Sequence, residues 1–414
     1  MLCGSWQSVA ADAAAVPPGE LKGCLSRAAS LYVLASITVS YLAGASAPTP
    51  LYPVYQGEWG FSSMAISFVF GIYAIAVLGA LLVAGRLSDY VGRRPVLIVA
   101  TLIQAATMLL FAFADGLSDL IAARVIQGAA TGAGIAAVGA GMLDMDKARG
   151  AVANAVAPGA GTALGGMLGG LMVHYLPAPT HLVYFVLSAI FVAQVIGVLF
   201  VPELMPPRAG AMASLRPRFS LPAVTRQPLM MAAPVLIAVW ALAGLYGSLA
   251  PLIVRTSFGL DASFAGGIAL FALAAPGFIS VLLTQQVAAR TLMIYGATTL
   301  FLGVALAVSS LPYHSATAFF VGTALAGSGF GTGFQGAIKT VVPLAAPQQR
   351  AGVLSVIFVV SYVSMGVPAV IAGYLVARSG DLFLTARWFG ALVMLLALLA
   401  LIGTLRSTPP KKLI

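Results

Sequence analysis

The stretch GRLSDYVGRRPVL, from Gly85 to Leu97, sets three arginines and an aspartate between two long apolar runs. Asp89 and Arg93 stand four apart, so they pair if the segment is helical. Gly85 and Gly92 permit tight turns and close backbone approach, and Pro95 suits the first turn of a following helix. Arg93 and Arg94 read in part as topology anchors. Acidic residues do little for membrane orientation, which leaves Asp89 for another task. The second notable charge is Arg124, in RVIQGAATGAG. It lies inside an apolar run, where a charge costs from about 2.5 to more than 10 kcal/mol. It must therefore face a cavity or another helix, where it either bonds backbone carbonyls or senses a solute or a proton. Asp119, five residues earlier, falls on a different helix face and is a poor partner.

The remaining polar groups exclude more than they offer. Asp12, Glu20, Asp89, Asp144, Asp146 and Glu203 fall on one side of the apolar runs, and Glu58, Asp115, Asp119, Asp261 and Asp381 on the other. No carboxylate lies deep in a run, so no proton carrier is evident; Asp119 and His174 are the nearest titratable candidates. Three histidines and no buried acid do not make a catalytic constellation. No phosphate-cradling G-x-x-x-x-G-K-[ST] stretch occurs, and Cys3 and Cys24 lack metal-ligand spacing. An enzyme, an ATP-driven pump and a cofactor or metal protein are thus all disfavoured. Tyr41, Gln104, Arg124, Gln127, Trp240, Tyr246, Gln335 and Tyr362 are the candidate lining of a solute cavity, though each also fits a satisfied helix contact. Such a lining suits a neutral, cationic or amphipathic organic solute, with strongly cationic ones least favoured for want of a counter-charge.

The elements that hold these residues follow from composition. Of 414 residues, 60% are hydrophobic and 8% charged, with a mean hydropathy of +1.02, which implies an integral membrane protein. Twelve helical spans are expected near 31–53, 63–84, 95–114, 117–142, 151–175, 182–201, 229–254, 264–287, 291–310, 316–341, 351–377 and 386–406. Residues 1–30 read as a polar tail rather than a signal peptide, 202–228 as a Pro- and Arg-rich linker between two six-helix halves (31–201 and 229–406), and 407–414 as a second tail. The net charge of +10 sits in the gaps, which points to membrane orientation rather than nucleic acid. With alternate sides assigned, 17 basic residues fall on the side of the termini against 3 on the other, so both termini are expected in the cytoplasm of a multi-pass cell-membrane protein.

The halves echo each other at an offset of 201 residues: Pro50 with Pro251, GAATG at Gly128 with GFGTG at Gly329, Arg149 with Arg350, and Gly165 with Gly366. Duplicated halves are the usual architecture of secondary transporters.

The pattern G-x-L-x-D-x-x-G-R-R at Gly85, Leu87, Asp89, Gly92, Arg93 and Arg94 resembles the loop signature of the major facilitator superfamily. Arg124, Gln127 and Gly128 resemble its second motif, and Asp144 stands where relatives commonly carry an acid. GTALGGMLGG, with Gly161, Gly165, Gly166, Gly169 and Gly170, resembles the drug-antiporter motif, except that Gly166 replaces its proline. Span eleven keeps Gly366, Pro368 and Gly373. The resemblance covers essentially the whole chain. It implies an all-α membrane fold of twelve helices in two pseudo-symmetric six-helix bundles, acting as a monomer without a cofactor. It also implies a conformational latch of Gly85, Asp89, Gly92, Arg93, Arg94 and Asp144, with Asp89 facing the start of span eleven and Arg93 reaching Asp144. The expected function is proton-coupled efflux of small organic solutes; uncoupled import and a non-transporting sensor are the alternatives.

Overall fold

The computed structural model describes residues 25–217, 219 and 221–406. The expectations for the tail before residue 25 and for 407–414 lie outside the described residues.

A backbone in hydrocarbon must satisfy its own polar groups, which a helix does within one segment. Among the described residues every regular element is helical. Span one is broken: Arg27–Ser46 leads through a 3-10 turn at Thr49–Leu51 into Tyr52–Trp59. Spans two to six are Ser63–Ala84, Arg93–Ala112, Leu117–Met145, Lys147–Tyr175 and Pro179–Leu199. Spans seven to twelve are Ala223–Phe258, Ala262–Leu283, Ala289–Ser309, Ala316–Val341, Arg350–Ser379 and Leu382–Arg406. Eleven of these are long and apolar enough to cross a bilayer on those grounds alone. Span ten is long enough, but its glycines, serine and threonines dilute its hydropathy. Shifted by 201 residues, the bounds of spans two to six fall within a few residues of spans eight to twelve.

Two apolar cores form, one per half. Leu34, Ile37, Met108, Phe111, Val138 and Phe191 belong to the first; Leu236, Val239, Leu249, Leu300, Ile357 and Val393 belong to the second. Span seven extends back to Ala223, into the stretch read as linker. Its first turns carry Arg226 and Gln227, so they form helix without the apolarity that marks a span.

Small residues set the approach of neighbouring helices, since packing rather than hydrophobicity holds helices together in lipid. Span ten has glycines on two faces. A Cβ on Gly322 or Gly329 would meet the backbone of span nine, at Ala307 N (2.6 Å) and Leu300 N (2.5 Å), and Gly327 and Gly331 press on the backbone of span eight at Leu273 and Gly277. In the first half Gly128 and Gly132 bring span four onto span two in the same way.

Candidate transport path and latch

The charged gap folds as the turn Ser88–Val91 followed directly by span three. Arg93 is held from three sides: Nη1 donates to Ser88 Oγ at 2.7 Å and to Asp89 Oδ1 at 2.5 Å, and Nε donates to Asp144 Oδ2 at 3.1 Å. One guanidinium thus joins the turn to the end of span four. Gly92 adopts φ +97°, and a Cβ there would stand 2.7 Å from Glu203 Oε2. The space is needed because the Glu203 carboxylate accepts from Arg94 N at 2.7 Å and Met205 N at 3.1 Å, an anion at the positive end of span three. Arg94 Nη2 in turn donates to Leu199 O at the end of span six, at 2.6 Å. Glu203 and Leu199 were not singled out in the sequence; the acid alone, beyond span six, gave no spacing signal. Asp89 does not hydrogen-bond to span eleven here: its half-exposed carboxylate is held by Arg93.

Arg124 is fully buried and bonded. Its Nη1 donates to Ala45 O at 2.9 Å and Gln127 Oε1 at 2.8 Å, while Nε and Nη2 donate to the Tyr52 hydroxyl. Gln127 Nε2 donates to Gly44 O at 2.9 Å. The break in span one explains this arrangement. Pro48 has no N–H, so Gly44 O loses its helical donor four residues on, and the last carbonyls of a helix need outside partners. Span four supplies them. Tyr73, Phe111 and Tyr52 present ring faces to the guanidinium at 5.2, 5.6 and 5.7 Å, a favourable setting for a cation.

The same logic crosses between halves. Pro251 frees the carbonyl of Gly247, and Thr49 Oγ1 of span one donates to it at 3.2 Å. Nearby, Gly71 of span two abuts Gly366 of span eleven, Gly373 of span eleven abuts Ser67, and Gly170 of span five abuts Ser263 O. His174 Nδ1 lies 3.9 Å from Asp261 Oδ1, a distance that binds when the imidazole is protonated. The span-five motif therefore has two duties. Gly161, Gly165 and Gly169 admit span one at Val39, Ala43 and Ala47, whereas Gly166 and Gly170 admit span eight of the other half. These cross-half contacts gather towards the face away from the chain termini. Towards the terminal face the last named ones are Gly159 on Phe278 and Tyr362 against Val77.

The expected cavity lining divides sharply. Tyr41, Gln104, Arg124, Gln127 and Tyr246 are buried inside their bundles. Tyr41 bonds Thr101, Gln104 bonds Thr131, and Tyr246 bonds Thr323. Most of their polar atoms bond neighbouring helices, as lipid demands; the buried Gln104 Oε1 has no partner among the described residues. Gln335, half-buried, is spent on Thr284 and the Val281 carbonyl of span eight. Pro368 lies within the span-eleven helix. Trp240 and Tyr362 remain, half-buried where span seven meets spans ten and eleven. They are joined by Phe330, Phe334 and Phe358, which the sequence reading passed over because phenylalanine in an apolar span carries no signal.

A family profile of the Major Facilitator Superfamily matches residues 34–300. The chain belongs to the Major Facilitator Superfamily. Nothing matches among the curated proteins compared. Among solved structures, the crystal structure of the nucleoside transporter NupG is similar, with a TM-score of 0.68 at 13% identity over 93% of this chain and 100% of that one. A variant of NupG gives 0.68 and 13% over 90% and 98%. At this identity the likeness is one of fold. As a superfamily member the protein is a membrane transporter rather than an enzyme.

Proposed function

We propose that this transporter moves small organic solutes along the seam between its halves by alternating access, and that the structure is the state closed at the face away from the termini. One observation carries the reading: the seam is tied near that face by Thr49, Gly71, Gly170, His174 and Gly373, while the aromatic rings further in are left half-buried. The charge count supports termini in the cytoplasm, and with the termini there the open side is the inward one. Asp89, Arg93 and Asp144 form the latch that rearranges when the terminal face closes; the half-exposed Asp89 is free to exchange partners then. Proton-coupled efflux is the finer expectation. It is supported by the likeness of span five to the drug-antiporter motif, from which Gly166 departs, rather than by any acid deep within the spans. NupG's substrate class makes nucleosides a natural part of the first solute panel.

The test is a cysteine pair, His174→Cys with Asp261→Cys, in a chain whose Cys3 and Cys24 are serine. Oxidation should stop solute flux in reconstituted vesicles, and reduction should restore it. Undiminished flux through fully cross-linked protein sinks the alternating-access reading. An imposed pH gradient that fails to drive uphill solute movement would remove proton coupling alone.

A further inference from the structure

The aromatic cluster of the second half has a composition more specific than a greasy wall. Trp240 of span seven meets Phe330 at 5.9 Å and Phe334 at 5.6 Å, both edge-on from span ten, and Tyr362 of span eleven at 5.4 Å. Phe358 continues the row, 6.5 Å from Tyr362. All five rings are half-buried, whereas Phe319 and Phe389 of the same bundle are buried. Tyr362 also packs against Ala45, Tyr73 and Val77 of the first half, so the cluster borders the seam. The indole Nε1 of Trp240 is shielded and has no hydrogen-bond partner. Buried donors are normally satisfied, and one left without an acceptor marks a place for an absent partner. Charge completes the selection. Across the seam Tyr73 carries the Arg124 guanidinium on its ring, 5.2 Å away, and the acids of the spans, Glu58, Asp119 and Asp144, stand in terminal turns and form no ion pair with it.

We infer that this cluster is the recognition platform for solutes built on a flat, uncharged ring that carries a hydrogen-bond acceptor. The rings supply stacking and edge contacts, the Trp240 N–H reaches the acceptor, and the Arg124–Tyr73 pair opposes cations. This rests on the proposal that solutes pass along the seam, so the test reads binding rather than flux.

Purified protein is titrated by calorimetry with three probes: caffeine, which is flat, neutral and rich in acceptors; camphor, a neutral ketone of saturated shape; and N-methylquinolinium, a flat cation. Caffeine should give saturable binding; camphor should be at least about tenfold weaker, the separation expected from losing one stacked ring, and the cation weaker too, because it has no acceptor and meets the Arg124 charge. Trp240→Phe keeps a ring but loses the donor, and should weaken caffeine about two- to tenfold. Phe334→Leu keeps apolar volume but loses the ring face, and should weaken it by a similar factor. Thermal melting confirms that each variant is folded; if either is not, Trp240→Leu and Phe330→Leu replace them. Absence of saturable caffeine binding, equal binding of camphor or the cation, or indifference of caffeine to both substitutions overturns the inference. Caffeine binding without flux of any solute would instead count against the proposed seam pathway and leave this one standing.

Discussion

Arg124 shows how one residue can look like a sensor and act as a fastener. Four of its five donors are met by the Ala45 carbonyl, Gln127 and Tyr52, and its bond network repairs the break that Pro48 makes in span one. Removing it strands at least the Ala45 carbonyl, at a cost of about 1–3 kcal/mol per buried group. Arg124→Ala should therefore lower the melting temperature and transport together. Arg124→Lys, which lacks the planar fork, should lose most of the same stability. A fully stable lysine variant without transport would restore the sensing role. The sequence disclosed that Arg124 had to be bonded; which partner it takes depended on where Pro48 falls in three dimensions. Gly92 makes the converse case. Its spacing flagged a turn, yet its φ of +97° and the Glu203 carboxylate against it are needed together. Gly92→Ala should destabilise by about 1–3 kcal/mol, measured as reduced melting temperature. Asp89→Asn, at a half-exposed site, should leave stability within about 1 kcal/mol while slowing transport. Wild-type flux from that variant would argue against the latch.

At the scale of helices, glycine is informative only with its surroundings. Gly303 of span nine meets the backbone of span ten at Gly322 and Ala326, whereas Gly403 of span twelve has open space around it. Gly303→Ala should therefore separate spans nine and ten and lower the melting temperature in detergent. Gly403→Ala, in the last turn of its helix, should be neutral or raise it, by up to about 1 kcal/mol, because alanine favours the helix. Equal effects at the two sites would mean that backbone approach does not govern this bundle. The spans themselves were readable because twenty apolar residues leave few alternatives, and so was the repeat. The division of span five between two partners was not. GTALGGMLGG shows small residues, but only the packed structure sends Gly165 to span one and Gly166 to span eight. The glutamines make a related point: in lipid a polar side chain bonds a neighbouring helix, and sequence does not reveal which helix is near.

Across the whole molecule, the two halves own separate cores and meet along a seam rich in small residues. They are joined by a connection that touches the first half through Arg208 N to Tyr90 O at 2.7 Å. Cutting within this connection and co-expressing the pieces should therefore yield an assembled, ligand-competent pair, scored by co-purification and by binding of the same probes. Failure to co-purify would mean that the seam needs the covalent tether.

Span ten adds a constraint on how the chain is made. Among the described long helices it is the least apolar, because its surface carries glycines for the close approach of spans eight and nine. During synthesis the ribosome delivers those two helices first, and span ten emerges beside their finished glycine faces. The membrane integration machinery must then release it against protein rather than against lipid. The order of the chain thus places the least oily helix after the partners that shelter it, and moving that segment ahead of spans eight and nine should lower the yield of inserted protein.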